Sequence, residues 1–339
     1  MMETIRKNIQ LSAYTTLHIG GVADYFVEVT TKEELKAALS WAKAHTTTPP
    51  LILGGGSNVL ISDEGYRGLV VVNRIEKIDY KEDGQQVFAY VGAGNILDAF
   101  IADTVAKKYW GLENLSAIPG TVGATPVQNV GAYGVEVGEY IDSVVAVHID
   151  TQEEKIFSKE DCIFQYRNSY FKTDEGSKWI IIEVIFTLST LVTPRTTYAD
   201  LSLLSNTEPT QEQIREAVIS IRSKKFPDWN KVGTAGSFFK NPIISKAEFI
   251  ELQKQYEDIV GYEQANESVK VSLGWVLDRI CGLKGYASGN VRLFEKQALV
   301  LVAEKNATAE EINLFAKKIE EKVFEKTKIK IEREVKNIF

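Results

Sequence analysis

Leu35, Ala38, Leu39 and Ala42 lie three and four positions apart, the repeat of one helical face, and Thr31 with Glu34 ahead of them makes a capping-box pattern. The spacing predicts a helix. The same repeat predicts a helix over 97–108, with Phe100, Ile101 and Val105 inward, and another opened by Thr210 and Gln213, with Ile214, Ala217, Val218 and Ile221 inward. Ser245 with Glu248 and Thr308 with Glu311 mark two further helix starts. Short apolar runs bounded by turn residues predict strands at 51–53, 68–75, 87–91, 143–149, 179–188 and 297–302, and 330–335 predicts another.

The pattern breaks over 110–137. Glycine, proline, asparagine and threonine crowd this stretch and no period holds. A segment this long without periodicity is either disordered or functional. Disordered segments are polar and charged, whereas this one carries Trp110, Leu112, Leu115, Ile118, Val122, Val127, Val130 and Tyr133. It is expected to be ordered and to wrap something. A turn-rich stretch at 191–209 reads as a linker. The expected domains are therefore 1–190, the linker 191–209, and a smaller α+β unit at 210–339, with a strand at 329–335 contributing to the site.

Composition narrows the class. The 339 residues fit two domains, and 44% hydrophobic with 25% charged residues is the balance of a globular chain with more than one core. A net charge of −7 argues against a nucleic-acid groove, which carries a basic excess. No apolar run approaches the roughly 18 residues of a membrane span, and residues 1–10 lack the apolar stretch of a signal peptide. Cys162 and Cys281 make neither a disulfide framework nor a zinc pattern, and His18, His45 and His148 have no ligand spacing. The expectation is a cytoplasmic chain with no structural metal and no membrane insertion.

Two glycine loops are the main candidates for chemistry. In the first, the strand 51–53 runs into Gly54, Gly55 and Gly56, then Ser57 and Asn58. Such a backbone can approach a phosphate closely, or can simply make a tight turn. In the second, Gly120, Gly123, Gly131 and Gly134 alternate with Ser116, Thr121, Thr125, Gln128 and Asn129, a set suited to a long ligand with a pyrophosphate and a polar ring system. Neither loop has the Walker or G-x-G-x-x-G spacing. Two such loops point to FAD held by two small α/β subdomains, split near 76–86.

Arg167 lies among aromatic and polar residues, where it suits a carboxylate, although a surface ion pair is the commoner use of an arginine. Ser237 follows Gly236 and precedes Phe238 and Phe239. It has no G-x-S-x-G context, so it is a turn serine or a hydrogen-bond donor or acid, and not a hydrolase nucleophile. Lys225, Lys240 and Asn241 flank it and suit phosphate or carboxylate groups. Glu332 and Glu334 share one face of the strand predicted there, and the pattern does not choose between them.

Gly54-Gly-Gly-Ser-Asn58, Gly111-Leu-Glu-Asn-Leu115, Ile118-Pro-Gly120, Gln128-Asn129, Gly131-Ala-Tyr-Gly134, Tyr166-Arg167, Ala235-Gly-Ser-Phe-Phe-Lys-Asn-Pro242 and the closing Glu332-Arg-Glu-Val335 resemble the UDP-N-acetylenolpyruvoylglucosamine reductase family, in order and over nearly the whole chain. The resemblance implies an α+β fold: an FAD-binding region of two α/β subdomains of the vanillyl-alcohol-oxidase type, and a C-terminal α+β substrate domain. It implies non-covalent FAD, NADPH as co-substrate, and reduction of the enolpyruvyl ether of a UDP-sugar to UDP-N-acetylmuramate for peptidoglycan synthesis. Ser237 resembles the family's proton donor, and Arg167 and Glu334 resemble the pair that stabilises the enol. Tyr133, Tyr166, Tyr198, Lys225, Asn241 and Gln297 resemble substrate contacts, Tyr198 in the manner of the subclass with a substrate-capping tyrosine. Gly54, Gly55, Gly56, Ser57, Asn58, Ser116, Ile118, Pro119, Gly120, Thr121, Gly123, Ala124 and Thr125 resemble FAD contacts. Ala124 and Thr125 depart from the family's usual serines. A monomer is expected.

Two other readings remain at this point. A flavin oxidase of the same fold would often attach FAD through a histidine near the first glycine loop, but no histidine lies between His45 and His148. A regulatory flavin- or nucleotide-binding module would leave Arg167, Ser237 and Glu334 without a task.

Overall fold

Thr31 caps helix α1 (Lys32–His45): its side chain accepts the Glu34 N–H at 3.1 Å, while the Glu34 carboxylate reaches back to the Thr30 N–H at 2.8 Å. The structure, a computed structural model, describes residues 5–204, 208–264 and 266–339. The chain divides into two units, one of Met1–Ile9, Ala23–Gly56 and Arg67–Arg222, the other of Gln10–Val22, Ser57–Tyr66 and Ser223–Phe339.

Among its described residues the first unit holds two larger sheets and a two-stranded pairing of Gly131–Ala132 with Val135–Glu136. In one, Arg6–Gln10, Val22–Val29, Tyr66–Asn73 and Leu51–Leu53 lie side by side in that order, the last two parallel with Leu51 opposite Val70. Leu35, Ala38, Leu39 and Ala42 of α1 pack on Val27, Val29, Leu69 and Val71 of this sheet. The other sheet is antiparallel and runs Glu154–Ser158, Ile141–His148, Trp179–Ser189, Gln86–Gly92, Ile78–Asp83. Helix α2 (Leu97–Ala106) joins its core through Leu97, Phe100, Ile101 and Val105.

The strand Trp179–Ser189 serves both cores. Val147 faces Ile180 and Ala146 faces Ile181, but Val145 faces Glu183, so Ile182 is an extra residue. A bulge of this kind reverses the in–out alternation beyond it. Ile180 and Ile182 join the α1 core, whereas Ile181, Val184, Phe186 and Leu188 join the α2 core.

Helix α3 (Gln211–Lys225) opens on the box the sequence predicts: Gln213 Oε1 accepts the Thr210 N–H at 2.9 Å, and the Thr210 hydroxyl accepts the Gln213 N–H at 3.3 Å. Its inward residues Ile214 and Val218 pack on Trp110, Tyr133 and Leu201. The sequence places α3 beyond a linker, with the C-terminal part. Its apolar face instead keeps the helix, as far as Arg222, with the first unit.

In the second unit the helix Ala309–Thr327, with its Thr308–Glu311 box formed, packs Ile312, Phe315, Ile319 and Val323 into a core with Phe238, Leu273, Leu277 and Leu293. Leu17, Ile19 and Leu60 from the early segments belong to this core. Ser245 and Glu248 form their box at the start of Lys246–Gln255. One sheet joins Ile243–Ser245, Ser268–Val271 and Gly261–Gln264, and another joins Ala287–Ser288, Val291–Leu293 and Leu301–Ala303.

Two strand expectations shift. The strand expected over 297–302 is Leu301–Ala303, and Gln297 lies in the turn before it. Within 329–335, Ile329, Ile331 and Val335 are buried, but the segment makes an isolated bridge between Arg333 and Phe239 and bends at 334–335. The reason lies in the partner segment, which turns to Val300 at Ser237 and to Arg333 at Phe239, so no continuous ladder builds. The regular strand follows at Lys336–Ile338 and pairs in parallel with Val59–Ile61.

Candidate active site

The two glycine loops meet back to back in the first unit. A Cβ on Gly54 would overlap Thr121 Oγ1, and one on Gly55 would lie 2.8 Å from Gly120 Cα. Spacing this close excludes side chains and leaves a cradle of bare backbone, which fits a pyrophosphate-bearing cofactor. Main chain fixes the second loop: Leu97 N–H donates to Gly120 O at 3.1 Å, Val122 N–H to Asn95 O at 2.9 Å and Gly123 N–H to Ala93 O at 2.9 Å. Ile118, Pro119, Gly120 and Gly123 are half-buried and Ala124 is exposed. Ser116 and Thr125 are buried, and their hydroxyls donate to Glu113 O at 2.6 Å and Val122 O at 2.8 Å, so they shape the loop from within. Ser57 and Asn58 fall in the second unit, where Asn58 Nδ2 donates to Glu334 O at 3.2 Å.

Tyr166 and Arg167 form the tip of a tight turn that Gln165 and Asn168 close by exchanging hydrogen bonds at 3.0 Å. Arg167 has φ +52°, a left-handed conformation that costs a residue with a Cβ about 1–2 kcal/mol. Strain of this kind clusters at functional sites. The guanidinium lies 5.7 Å from the Tyr166 ring centroid. Tyr133, also left-handed at φ +50°, is buried and packs edge-to-face on Tyr198 with centroids 5.5 Å apart. Asn114 Nδ2 donates to Tyr133 O at 2.9 Å and to Arg195 O at 2.8 Å, tying the two tyrosine segments together. Burial pushes the Glu113 carboxyl above its usual range, against hydrogen bonds from Gly111 N–H at 2.9 Å and Gln211 Nε2 at 3.4 Å.

Arg222 belongs with these residues and sequence reasoning missed it. Its Nε donates to Ala117 O at 3.1 Å, and it hydrogen-bonds Tyr133. Burial lowers its pKa, Tyr133 and Asp98 oppose that, and the charge of Arg167 adds to it. An arginine keeps its charge regardless, and two guanidiniums within range of each other in a desolvated region suit an anion. The available signal was the seven-residue spacing of Arg215 and Arg222, two turns apart beside the apolar stripe of α3.

In the second unit Gly236, at φ +74°, turns the chain into Ser237, and its N–H donates to Thr234 Oγ1 at 3.2 Å. Ser237 is half-buried and bridges Val300. The next residue, Phe238, donates its N–H to Leu299 O and accepts the Glu334 N–H, both at 2.8 Å. Ser237 and Glu334 are thus joined through Phe238. Glu332 instead pairs with Lys240 at 2.9 Å with its side chain 75% exposed, so the structure separates two glutamates that look equal in sequence. Asn241 Oδ1 accepts the Leu273 N–H at 3.0 Å, Gln297 Oε1 accepts the Leu299 N–H at 3.4 Å, and Lys225 closes α3.

The remaining candidates have local tasks. His45 Nδ1 hydrogen-bonds Trp41 O at 2.8 Å and the ring stacks on Trp41, while His148 Nδ1 accepts the N–H groups of Asp150 and Thr151 at 3.3 Å. Burial pushes the Cys162 thiol up to about 12. No group of metal-ligating side chains is present among the described residues.

Residues 23–157 match the model of an FAD binding domain, and residues 228–338 match that of the C-terminal domain of UDP-N-acetylenolpyruvoylglucosamine reductase. The UDP-N-acetylenolpyruvoylglucosamine reductase of Flavobacterium johnsoniae is 39% identical over 336 residues, 98% of each chain. That of Photobacterium profundum is 38% identical over 333 residues, 98% of this chain and 95% of its own. The crystal structure of the reductase from Thermus caldophilus matches with a TM-score of 0.71 at 24% identity, over 99% of this chain and 100% of its own, and shares the fold. With such identity running along the full length, the chain belongs to the UDP-N-acetylenolpyruvoylglucosamine reductase family.

Proposed function

We propose a division of work among the residues of this chain for the family's reaction. The chain is a flavin-dependent oxidoreductase that reduces the enolpyruvyl ether of UDP-N-acetylglucosamine enolpyruvate to UDP-N-acetylmuramate in peptidoglycan precursor synthesis, with FAD as cofactor and NADPH as co-substrate. Bound FAD supplies the hydride relay between NADPH and the enolpyruvyl double bond. The backbone at 54–56 and 118–125 holds the cofactor non-covalently. Hydride addition builds negative charge on the carboxylate-bearing side of the substrate. A fixed cation is worth more to that charge than to the ground state, which is the task of Arg167. Glu334 shares in stabilising the enol. Ser237 Oγ gives its proton to the neighbouring carbon, with Lys225 or a water restoring the hydroxyl. Tyr133, Tyr166, Tyr198, Lys225, Asn241 and Gln297 bind the UDP-sugar.

The observation that carries the pairing of Ser237 with Glu334, and not with Glu332, is the Glu334 N–H on Phe238 O, next to Ser237. No helix among the described residues is long and apolar enough to cross a membrane. From the family resemblance, the enzyme is proposed to work as a cytoplasmic monomer. An anaerobic titration tests the whole reading. NADPH should bleach the flavin, and colour should return only on adding the enolpyruvyl UDP-sugar. Return of colour without it, or none with it, would refute the assignment. Acid precipitation should leave the flavin in the supernatant.

A further inference from the structure

Ala117 immediately precedes the Ile118-Pro119-Gly120 turn and has φ +59°. Both of its main-chain groups are gripped by charged side chains. Its N–H donates to Asp98 Oδ1 at 2.6 Å, and its carbonyl accepts from Arg222 Nε at 3.1 Å. Asp98 is itself held by a forked pair of bonds from Arg215, at 2.6 and 3.0 Å, with side chains only 16% and 35% exposed for Arg215 and Asp98. Forked guanidinium–carboxylate pairs are among the strongest and most directional in proteins. Arg215 and Arg222 both project from α3, and Gln211 on the same helix donates to Tyr109 O at 2.9 Å. The far half of the loop hangs on main-chain bonds to residues 93–97, but its near half is set by these side chains.

We infer that Asp98 and Arg215 are positioning residues for flavin binding: with Arg222 they hold Ala117 left-handed and so preset the 118–125 loop before the cofactor arrives. This rests on reading 118–125 as a flavin loop. A residue with a Cβ disfavours the left-handed conformation by roughly tenfold, and glycine does not. A loop that must be forced into shape on binding loses affinity by the population of its competent form.

The test uses full-length holoenzyme and measures flavin release on dilution by fluorescence. Asp98→Ala should raise the FAD dissociation constant about tenfold, and Arg215→Met should do the same should Asp98→Ala fail to fold. Ala117→Gly added to Asp98→Ala should recover most of the loss, because glycine takes the conformation unaided. A clamp with a merely structural role would lower the melting temperature and leave the dissociation constant of the folded protein within about twofold of the wild type. That result overturns the inference, as does a loss that Ala117→Gly does not recover. Hydrogen exchange of the wild type with and without FAD separates the two readings. Protection of 118–125 by FAD sustains the loop assignment whatever the variants do, and its absence overturns both.

Discussion

Arg167 and Ser237 are held in opposite ways. Around Arg167 the strain sits on residues with side chains: Ala117, Asn129, Tyr133 and Arg167 all have left-handed φ values between +45° and +59°. At Ser237 the neighbouring Gly236 takes φ +74° and spares the serine. Strain on a side-chain-bearing residue persists only where surrounding contacts over-determine it. For Ala117 and Tyr133 those contacts are Asp98, Asn114 and Arg222; Ser237 follows a turn glycine and is held by main-chain pairing of its segment with Leu299, Val300 and Glu334. Near Arg167 the strain of Ala117 and Tyr133 is thus held by side chains remote in sequence, whereas ahead of Ser237 a glycine takes the left-handed turn at no steric cost.

Substitutions can break or sharpen this contrast. The largest effect should come from Ser237→Ala, which loses about 10²–10⁴-fold in the half-reaction with the enolpyruvyl UDP-sugar while flavin reduction by NADPH is unchanged. Stopped-flow traces of the two halves decide it, and equal losses would remove the proton-donor role. Arg167→Gly comes next, with a loss of about 10²–10³-fold in the same half-reaction. Because glycine relieves the strain, its melting temperature should not fall, and a drop would mean that the turn is no strain reservoir. Gly236→Ala reverses the experiment. The site is spacious, with the nearest neighbour 4.0 Å from an added Cβ, so the conformation alone should destabilise the protein by about 1–2 kcal/mol in urea unfolding. A neutral result there would end the distinction between the regions.

The smallest effect concerns pH. Burial raises the Glu113 carboxyl above its ordinary 4.5, so the folded state favours the protonated form. Its stabilising share is complete below about pH 4.5 and is lost as pH rises through the raised value. Glu113→Gln cannot ionise and should flatten this part of the decline in melting temperature as pH rises above about 4.5. Parallel curves for the two proteins would show that the buried carboxyl does not set the behaviour of the region.

The sequence was readable where the signal is local. The Thr31 and Thr308 caps and the stripe of α1 are read from neighbouring residues, and the structure forms them. The stripe of α3 is equally plain, but its partners Trp110 and Tyr133 lie far upstream, and the spacing alone does not show which neighbour the helix packs on. Each glycine loop was visible alone, while the contact of Gly55 with Gly120 is long-range and leaves no periodic trace. Arg215 and Arg222 look like any solvated face until Asp98 and Ala117 are brought beneath them. Alternation treats Glu332 and Glu334 alike, and the preference for Glu334 rests on the family motif; the structure adds a main-chain bond at Glu334 and an ion pair that occupies Glu332.

The extra residue at Ile182 bears on how the first unit comes apart. Ile180 and Ile182 itself seal the α1 core, while Ile181 ahead of it and Val184, Phe186 and Leu188 beyond it seal the α2 core. Neither sheet can therefore melt while its neighbour stays intact, because withdrawing the shared strand empties both interiors at once. The bulge couples two small layers into a single cooperative unit, and the cradle that spans them inherits the stability of the whole.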